Sequence, residues 1–204
     1  MIWILDPGHG GIINNKYVTA PAKMHRFEQE GVEVYEGVIN RGIKNKVVRM
    51  LIENDIKHWD YITGQNDIPL RVRTRKINDY AAMNLNCVVL SIHSNAARVP
   101  GSGNGFEIFT SKGETKSDKI AQVFADTYQK NFPQFPFRKD TTDGDDDKEA
   151  NFWILQKTTC PALLVENLFF DEWQQATYLM TFDGQMEIAK TIVESIKRVE
   201  NEYK

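Results

Sequence analysis

The stretch DPGHGG, residues 6–11, follows the apolar run IWIL, residues 2–5, and the change from one to the other decides how the chain is read. Four apolar residues in a row are too few for a stable helix and suit a strand buried on both faces. A proline and three glycines then end the run, leaving a histidine at the point where the chain leaves the sheet. Similar short runs occur at 56–63, 87–92, 105–110 and 162–165. Between them, residues 36–54, 70–86 and 116–131 carry helical patterns, and a last helix aligns Ala189, Ile192, Val193, Ile196 and Val199 on one stripe. This alternation predicts an α/β fold: a mostly parallel, twisted, doubly wound sheet with helices on both faces.

A chain of 204 residues buries roughly 70% of its unfolded surface, enough for a single core, so residues 1–204 are expected to form one domain and a monomer. The formal charge of −3, with no basic block, argues against a nucleic-acid partner. No apolar run approaches the roughly 20 residues needed to cross a bilayer, so no membrane insertion is expected. Cys87 and Cys160 both lie beside apolar residues, as buried thiols of a reducing compartment do. No signal-peptide pattern is visible ahead of the first strand; if the native protein also starts here, synthesis in the cytoplasm is expected, with any passage outward by another route.

Three segments read as polar loops lining a groove: 11–35, 97–104 and 138–149. Within the last, DGDDDKE at 143–149 fails the calcium-loop template and reads as a solvated, flexible loop. Phe152 and Trp153 read as core residues.

Three polar residues stand at strand ends and a fourth opens a helix on its inward stripe. His9 follows the first strand, and His93 closes the run VVLSI at 88–92. Glu36 opens a helix in line with the stripe that faces the sheet, so its charge is aimed inward and wants a cation. Glu166 ends the run PALLV, where a buried carboxylate is costly unless paired or used for its raised pKa. In open α/β sheets the ligand crevice lies beyond the carboxyl ends of the strands. Two imidazoles and a carboxylate with an open fourth position are the donor set of a catalytic zinc site, and the other acid is then free to move protons.

DPGHGG, the helix start EGVIN at 36–40, SIHSNA at 91–96 and CPALLVENLFF at 160–170 resemble, in this order, the motifs of the zinc-dependent N-acetylmuramoyl-L-alanine amidases of the Amidase_3 type. The resemblance runs from Met1 to the last helix. It implies that His9, Glu36 and His93 bind Zn2+, that Glu166 is the catalytic acid/base, and that the substrate is peptidoglycan, cut between N-acetylmuramic acid and L-alanine at the cell wall. No separate wall-binding module is expected. LRVRTRKIN, 70–78, is similar to the family's Arg-bearing helix; its arginines read as solvated charges without a role. Two features depart from the family. His9 and Glu36 stand 27 residues apart, a longer gap that leaves Glu33 and Glu30 as alternative ligands, and NLFFDEW follows Glu166. A zinc carboxypeptidase, a non-catalytic wall-binding domain and, more weakly, a nucleotide-binding α/β protein are the rival readings.

Overall fold

Trp3, Leu5, Val88, Leu90, Ile92, Leu163 and Val165 bury one way, while Ile4, Val89 and Leu164 bury the other. That alternation places a core on each face of a central sheet. The computed structural model describes residues 1–19, 23–142 and 144–203. Residues 20–22 and 143 of the predicted loops, and Lys204, lie outside the described residues.

In chain order, the elements are β1 (Ile2–Pro7), β2 (Ile12–Ile13), β3 (Lys16–Tyr17), β4 (Met24–Phe27), β5 (Val32–Tyr35), α1 (Glu36–Glu53), β6 (His58–Asp60), α2 (Leu70–Met83), β7 (Cys87–Asn95), β8 (Glu107–Thr110), α3 (Lys116–Asn131), β9 (Lys148–Glu149), α4 (Trp153–Lys157), β10 (Ala162–Phe169), α5 (Trp173–Met180) and α6 (Phe182–Glu202). The main sheet runs β6-β1-β7-β10-β8-β9. Its first four strands are parallel, β8 is antiparallel to β10, and β9 is parallel to β8. The large core packs α1, α3, α5 and α6 on one face, with Ile43, Phe124, Leu179 and Ile192 fully enclosed. On the other face Ile77 of α2 and Ile154 and Leu155 of α4 meet Ile4, Val89 and Leu164.

The chain goes from β1 to β6 on one side of β1, then returns through α2 to β7 on its other side. The order of strands therefore reverses between β1 and β7, and the crevice beyond their carboxyl ends is where such sheets bind ligands. His9 and His93 belong to those two ends.

The structure also departs from the sequence reading in its details. The segment 56–63 keeps only His58–Asp60 in the sheet. The loop 11–35 is folded into two hairpins, β2–β3 and β4–β5. The first turns through Asn14 and Asn15, both at positive φ (49° and 60°), as a two-residue hairpin requires. The acidic loop is not simply solvated, since it supplies β9 and buries Asp147 to 2% exposure. Cys87 is buried, but Cys160 only half so, and both are free thiols. Phe152 is 39% exposed and packs edge-on against Phe109, so it belongs to the margin of the core.

Candidate metal centre and its supports

His9 sits two residues beyond β1 with φ 63°, so the left-handed residue of the turn is the histidine itself. The glycine before it serves close approach: a Cβ on Gly8 would lie 2.2 Å from Cε1 of His93. Gly8 N–H donates to the carbonyl of Ile92 (2.9 Å), which extends the β1–β7 ladder to the edge of the crevice.

Glu36 opens α1 and is 2% exposed. Its Oε2 lies 3.2 Å from His9 Nε2 and its Oε1 2.9 Å from His93 Nδ1. The two imidazoles meet nearly at right angles, with centroids 5.1 Å apart. One ligand atom from each of the three residues falls within 4.8 Å of the other two. Asn40, one helical turn on, donates from Nδ2 to Glu36 Oε1 and to the carbonyl of Gly8, 3.3 Å each, while its Oδ1 accepts from Ser94 Oγ. Glu33 instead pairs with Arg26 at the surface, and the long gap after His9 is taken up by the hairpins without moving Glu36 out of the crevice.

Charge is unevenly shared across this cluster. Burial opposes ionisation of Glu36, but hydrogen bonds and attraction from His9 and His93 outweigh it and hold the carboxyl below its usual range. Burial lowers the His9 pKa despite Glu36; in His93 the same burial is overcome by the Glu36 hydrogen bond and charge, and the pKa rises. His9 Nε2 is buried without a hydrogen-bond partner, although Glu36 is near. Two imidazole nitrogens, that of His9 unsatisfied, and an ionised carboxylate fit a divalent cation.

Glu166 lies on β10 in register with His93 on β7. Its Oε2 is buried and has no hydrogen-bond partner. Burial pushes its carboxyl up to about 8, with His93 pulling the other way and Glu36 adding to the rise. On its other side the register partner is Glu107 of β8, whose Oε1 receives Arg138 Nε at 2.7 Å and Lys148 Nζ at 2.6 Å. Of two adjacent carboxylates, one is thus neutralised and the other is left able to take or give a proton. Directly after Glu166 the strand register shifts and Leu168 adopts φ 60°. Asn167 is thereby turned inward, donating to the carbonyl of His93 (2.9 Å) and accepting from Tyr128 Oη (2.9 Å).

The arginine helix is where the sequence reading was most in error. Arg73 is 2% exposed, not solvated. Its guanidinium donates to Asp6 Oδ1 (2.8 Å) and to the carbonyls of Pro7 (2.7 Å), His9 (3.0 Å) and Ile68 (2.7 Å). Asp6 also accepts from Tyr61 Oη and Ser91 Oγ. Burial would raise the Asp6 pKa, but Arg73 and these donors hold it below the usual carboxylate range. Arg41 of α1 braces the same turn through the carbonyls of Gly8, Gly37, Gly64 and Asn66. The available signal was position: Arg73 precedes the buried Ile77 by one helical turn, a charge on an apolar stripe.

A cavity of about 1100 Å³ opens at the opposite end of the sheet, lined in part by Met1, Cys87 and Cys160. No histidine lines it. Volume alone does not locate the chemistry here.

The family profile described as N-acetylmuramoyl-L-alanine amidase, Amidase_3, matches residues 4–198. The chain belongs to the Amidase_3 family. Among curated relatives, the endolysin of Bacillus phage SPP1 is 26% identical over 216 residues, covering 98% of this chain and 66% of that protein. This Amidase_3 chain therefore spans just under two thirds of its relative's length. Among solved structures, an N-acetylmuramoyl-L-alanine amidase from Clostridium difficile 630 superposes with a TM-score of 0.80 at 24% identity, covering 100% of this chain and 98% of that one. The amidase AmiC2 of Nostoc punctiforme gives 0.77 at 21% identity, over 98% and 97%. The Amidase_3 chain shares their fold, a mostly parallel sheet between two helical layers.

Proposed function

We propose that residues 1–204 act as a single zinc-dependent catalytic domain that hydrolyses the amide between N-acetylmuramic acid and L-alanine in peptidoglycan, at the cell wall and as a monomer. The observation that carries this reading is the convergence of His9, Glu36 and His93 beside Glu166, an acid of raised pKa with a buried, unpartnered oxygen. Membership of the Amidase_3 family and similarity to a phage endolysin support it.

His9, Glu36 and His93 would hold the ion, and the mixed nitrogen and carboxylate donors suit zinc. Bound there, zinc would supply Lewis acidity toward the amide carbonyl and lower the pKa of water from about 15.7 to about 7. The remaining work falls to the chain. Glu166 takes a proton from the attacking water on its free oxygen and returns it to the departing amide nitrogen, so that L-alanine leaves as an amine. Burial raises the Glu166 pKa in the metal-free chain, and a dication held by His9, Glu36 and His93 would favour its ionised, proton-accepting form. Asn40 orients the Glu36 carboxylate and the Arg73–Asp6 pair fixes the turn that presents His9, which preorganises the site.

Mass spectrometry of purified peptidoglycan after digestion, with and without a chelator, tests the proposal. Stem peptides with a free L-alanine amine, released only without chelator, are the expected products. Peptides trimmed from their carboxyl ends would identify a carboxypeptidase, and zinc binding with undigested wall would identify a binding domain.

A further inference from the structure

Beside Glu166, on the side away from the histidines, the sheet gathers more positive charge than it neutralises. His93 on β7, Glu166 on β10 and Glu107 on β8 are register partners in turn, so their side chains stand in a row on one face. Lys148 of β9, paired with Phe109 two residues beyond Glu107, continues the row. Glu107 is buried and fully bonded: its Oε1 receives both Arg138 Nε and Lys148 Nζ, and its Oε2 receives Asn95 Nδ2. One carboxylate cannot balance two cations. Among the described residues neither Arg138 nor Lys148 forms another ion pair. Asp140 lies within the field of Lys148 but bonds to Thr142.

Arg138 is held ready for a further anion. It comes from the outer side of β8, where Phe137 bridges Phe106, and its own N–H donates to the Phe106 carbonyl at 2.8 Å. Its guanidinium lies 5.3 Å from the centre of the Phe169 ring. Only Nε is taken by Glu107; the two terminal nitrogens have no acceptor among the described residues, and the side chain is 43% exposed. A planar fork fixed in this way suits a carboxylate better than any other common group.

The place of this fork says which carboxylate. In the proposed reaction Glu166 delivers a proton to the departing nitrogen, so the stem peptide leaves past Glu166, along the row and away from the metal. Strands are about 4.8 Å apart, which puts the Arg138 fork, beyond Glu107, roughly 8 to 10 Å from Glu166. A carboxylate on the residue that owns the departing nitrogen stands only about 2.5 Å from that nitrogen, too near to reach the fork. One residue further on it stands about 6 Å away, and a hydrogen bond of about 2.8 Å closes the gap. In a stem peptide the residue after L-alanine is a glutamate linked onward through its side chain, so its α-carboxyl hangs free unless it is amidated. We propose that Arg138, backed by Lys148, is a carboxylate subsite that selects stem peptides whose second residue keeps a free α-carboxyl. The proposal rests on the amidase reading and adds a substrate preference to it.

The test compares two synthetic substrates with the zinc-loaded full chain. One is N-acetylmuramoyl-L-alanyl-γ-D-glutamyl-L-lysine amide with the glutamyl α-carboxyl free; the other is the same compound with that carboxyl amidated. The free acid is expected to be cleaved with a kcat/KM about 10 to 100-fold higher, mostly through KM, as a charge-assisted hydrogen bond made in ground and transition state alike would give. Arg138→Gln, which leaves Lys148 on Glu107, should bring that ratio close to one, and Arg138→Lys should keep part of it. Because the ratio is taken within one protein, a loss of folded enzyme does not move it. A wild-type ratio near one, or a ratio that survives Arg138→Gln, would overturn the subsite and leave the amidase reading intact. Cleavage of neither substrate would overturn that reading and the subsite with it.

Discussion

Arg73 of α2 and Asp6 of β1 form an ion pair, Nη1 to Oδ1 at 2.8 Å, in which both side chains are only 2% exposed. Neither is one of the proposed metal ligands, but the Asp6 charge helps raise the His93 pKa and the Arg73 guanidinium holds the carbonyl of His9. Removing one member of a buried pair strands the other, at a cost of about 3 to 5 kcal/mol. Arg73→Met is therefore expected to lower unfolding free energy by about that amount in a denaturant titration. Arg73→Lys should rescue little, because one ammonium cannot reproduce a planar fork serving four acceptors. Wild-type stability in Arg73→Met would show the pair to be dispensable.

The proposed roles, proton transfer for Glu166 and metal binding for Glu36, predict that substitutions at the two separate. Glu166→Gln keeps the shape and removes the titration; kcat on muropeptides should fall by about 10² to 10⁴-fold. Zinc affinity should be unchanged. Glu36→Gln should instead abolish the rise in melting temperature that zinc is expected to confer on the wild type. Near-normal turnover by Glu166→Gln with zinc retained would remove that residue from the mechanism.

The raised pKa of Glu166 has a signature in stability. In the metal-free folded chain the carboxyl titrates at about 8, against a value of 4.5 without the surroundings of the fold. Between those pH values the folded state holds a proton that the unfolded state has lost. Stability from this group should then fall as pH rises from 4.5 to about 8 and level off above. Unfolding curves of wild type and Glu166→Gln, measured with chelator across that range, should diverge in favour of the variant as pH rises. Parallel curves would place the titration elsewhere.

Gly37 lies in the first turn of α1, where alanine would ordinarily gain about 1 kcal/mol of helix propensity. A Cβ there, however, would come within 1.8 Å of the carbonyl oxygen of Gly10. Backbone of the turn that carries His9 cannot move aside as a flexible side chain would. Gly37→Ala is expected to melt below the wild type and to bind zinc more weakly. A higher melting temperature would mean that the turn has room to yield.

Much of the site was legible in sequence because each clue was local. A histidine after an apolar run and an acid on an apolar stripe are visible within ten residues, and the structure brings His9, Glu36 and His93 to one point with Glu166 beside them on the strand next to His93. The order of strands and helices was legible for the same reason, from periodicity. The hairpin at Asn14–Asn15 also had a local signal, a two-residue turn between short β-prone pairs, which the polar character of the segment hid.

The amino-acid sequence by itself determined the α/β alternation and which residue types stand at the strand ends, since backbone preference and hydrophobic period are properties of near neighbours. Only the tertiary structure decided that Arg73 is buried on Asp6, 67 residues away, that Glu107 pairs with two basic side chains while Glu166, among the described residues, forms no ion pair, and that Asp147 is buried in an acidic loop. Those outcomes depend on strand register and on which helix covers which face. A charge finds its partner through space, and distance along the chain does not record it.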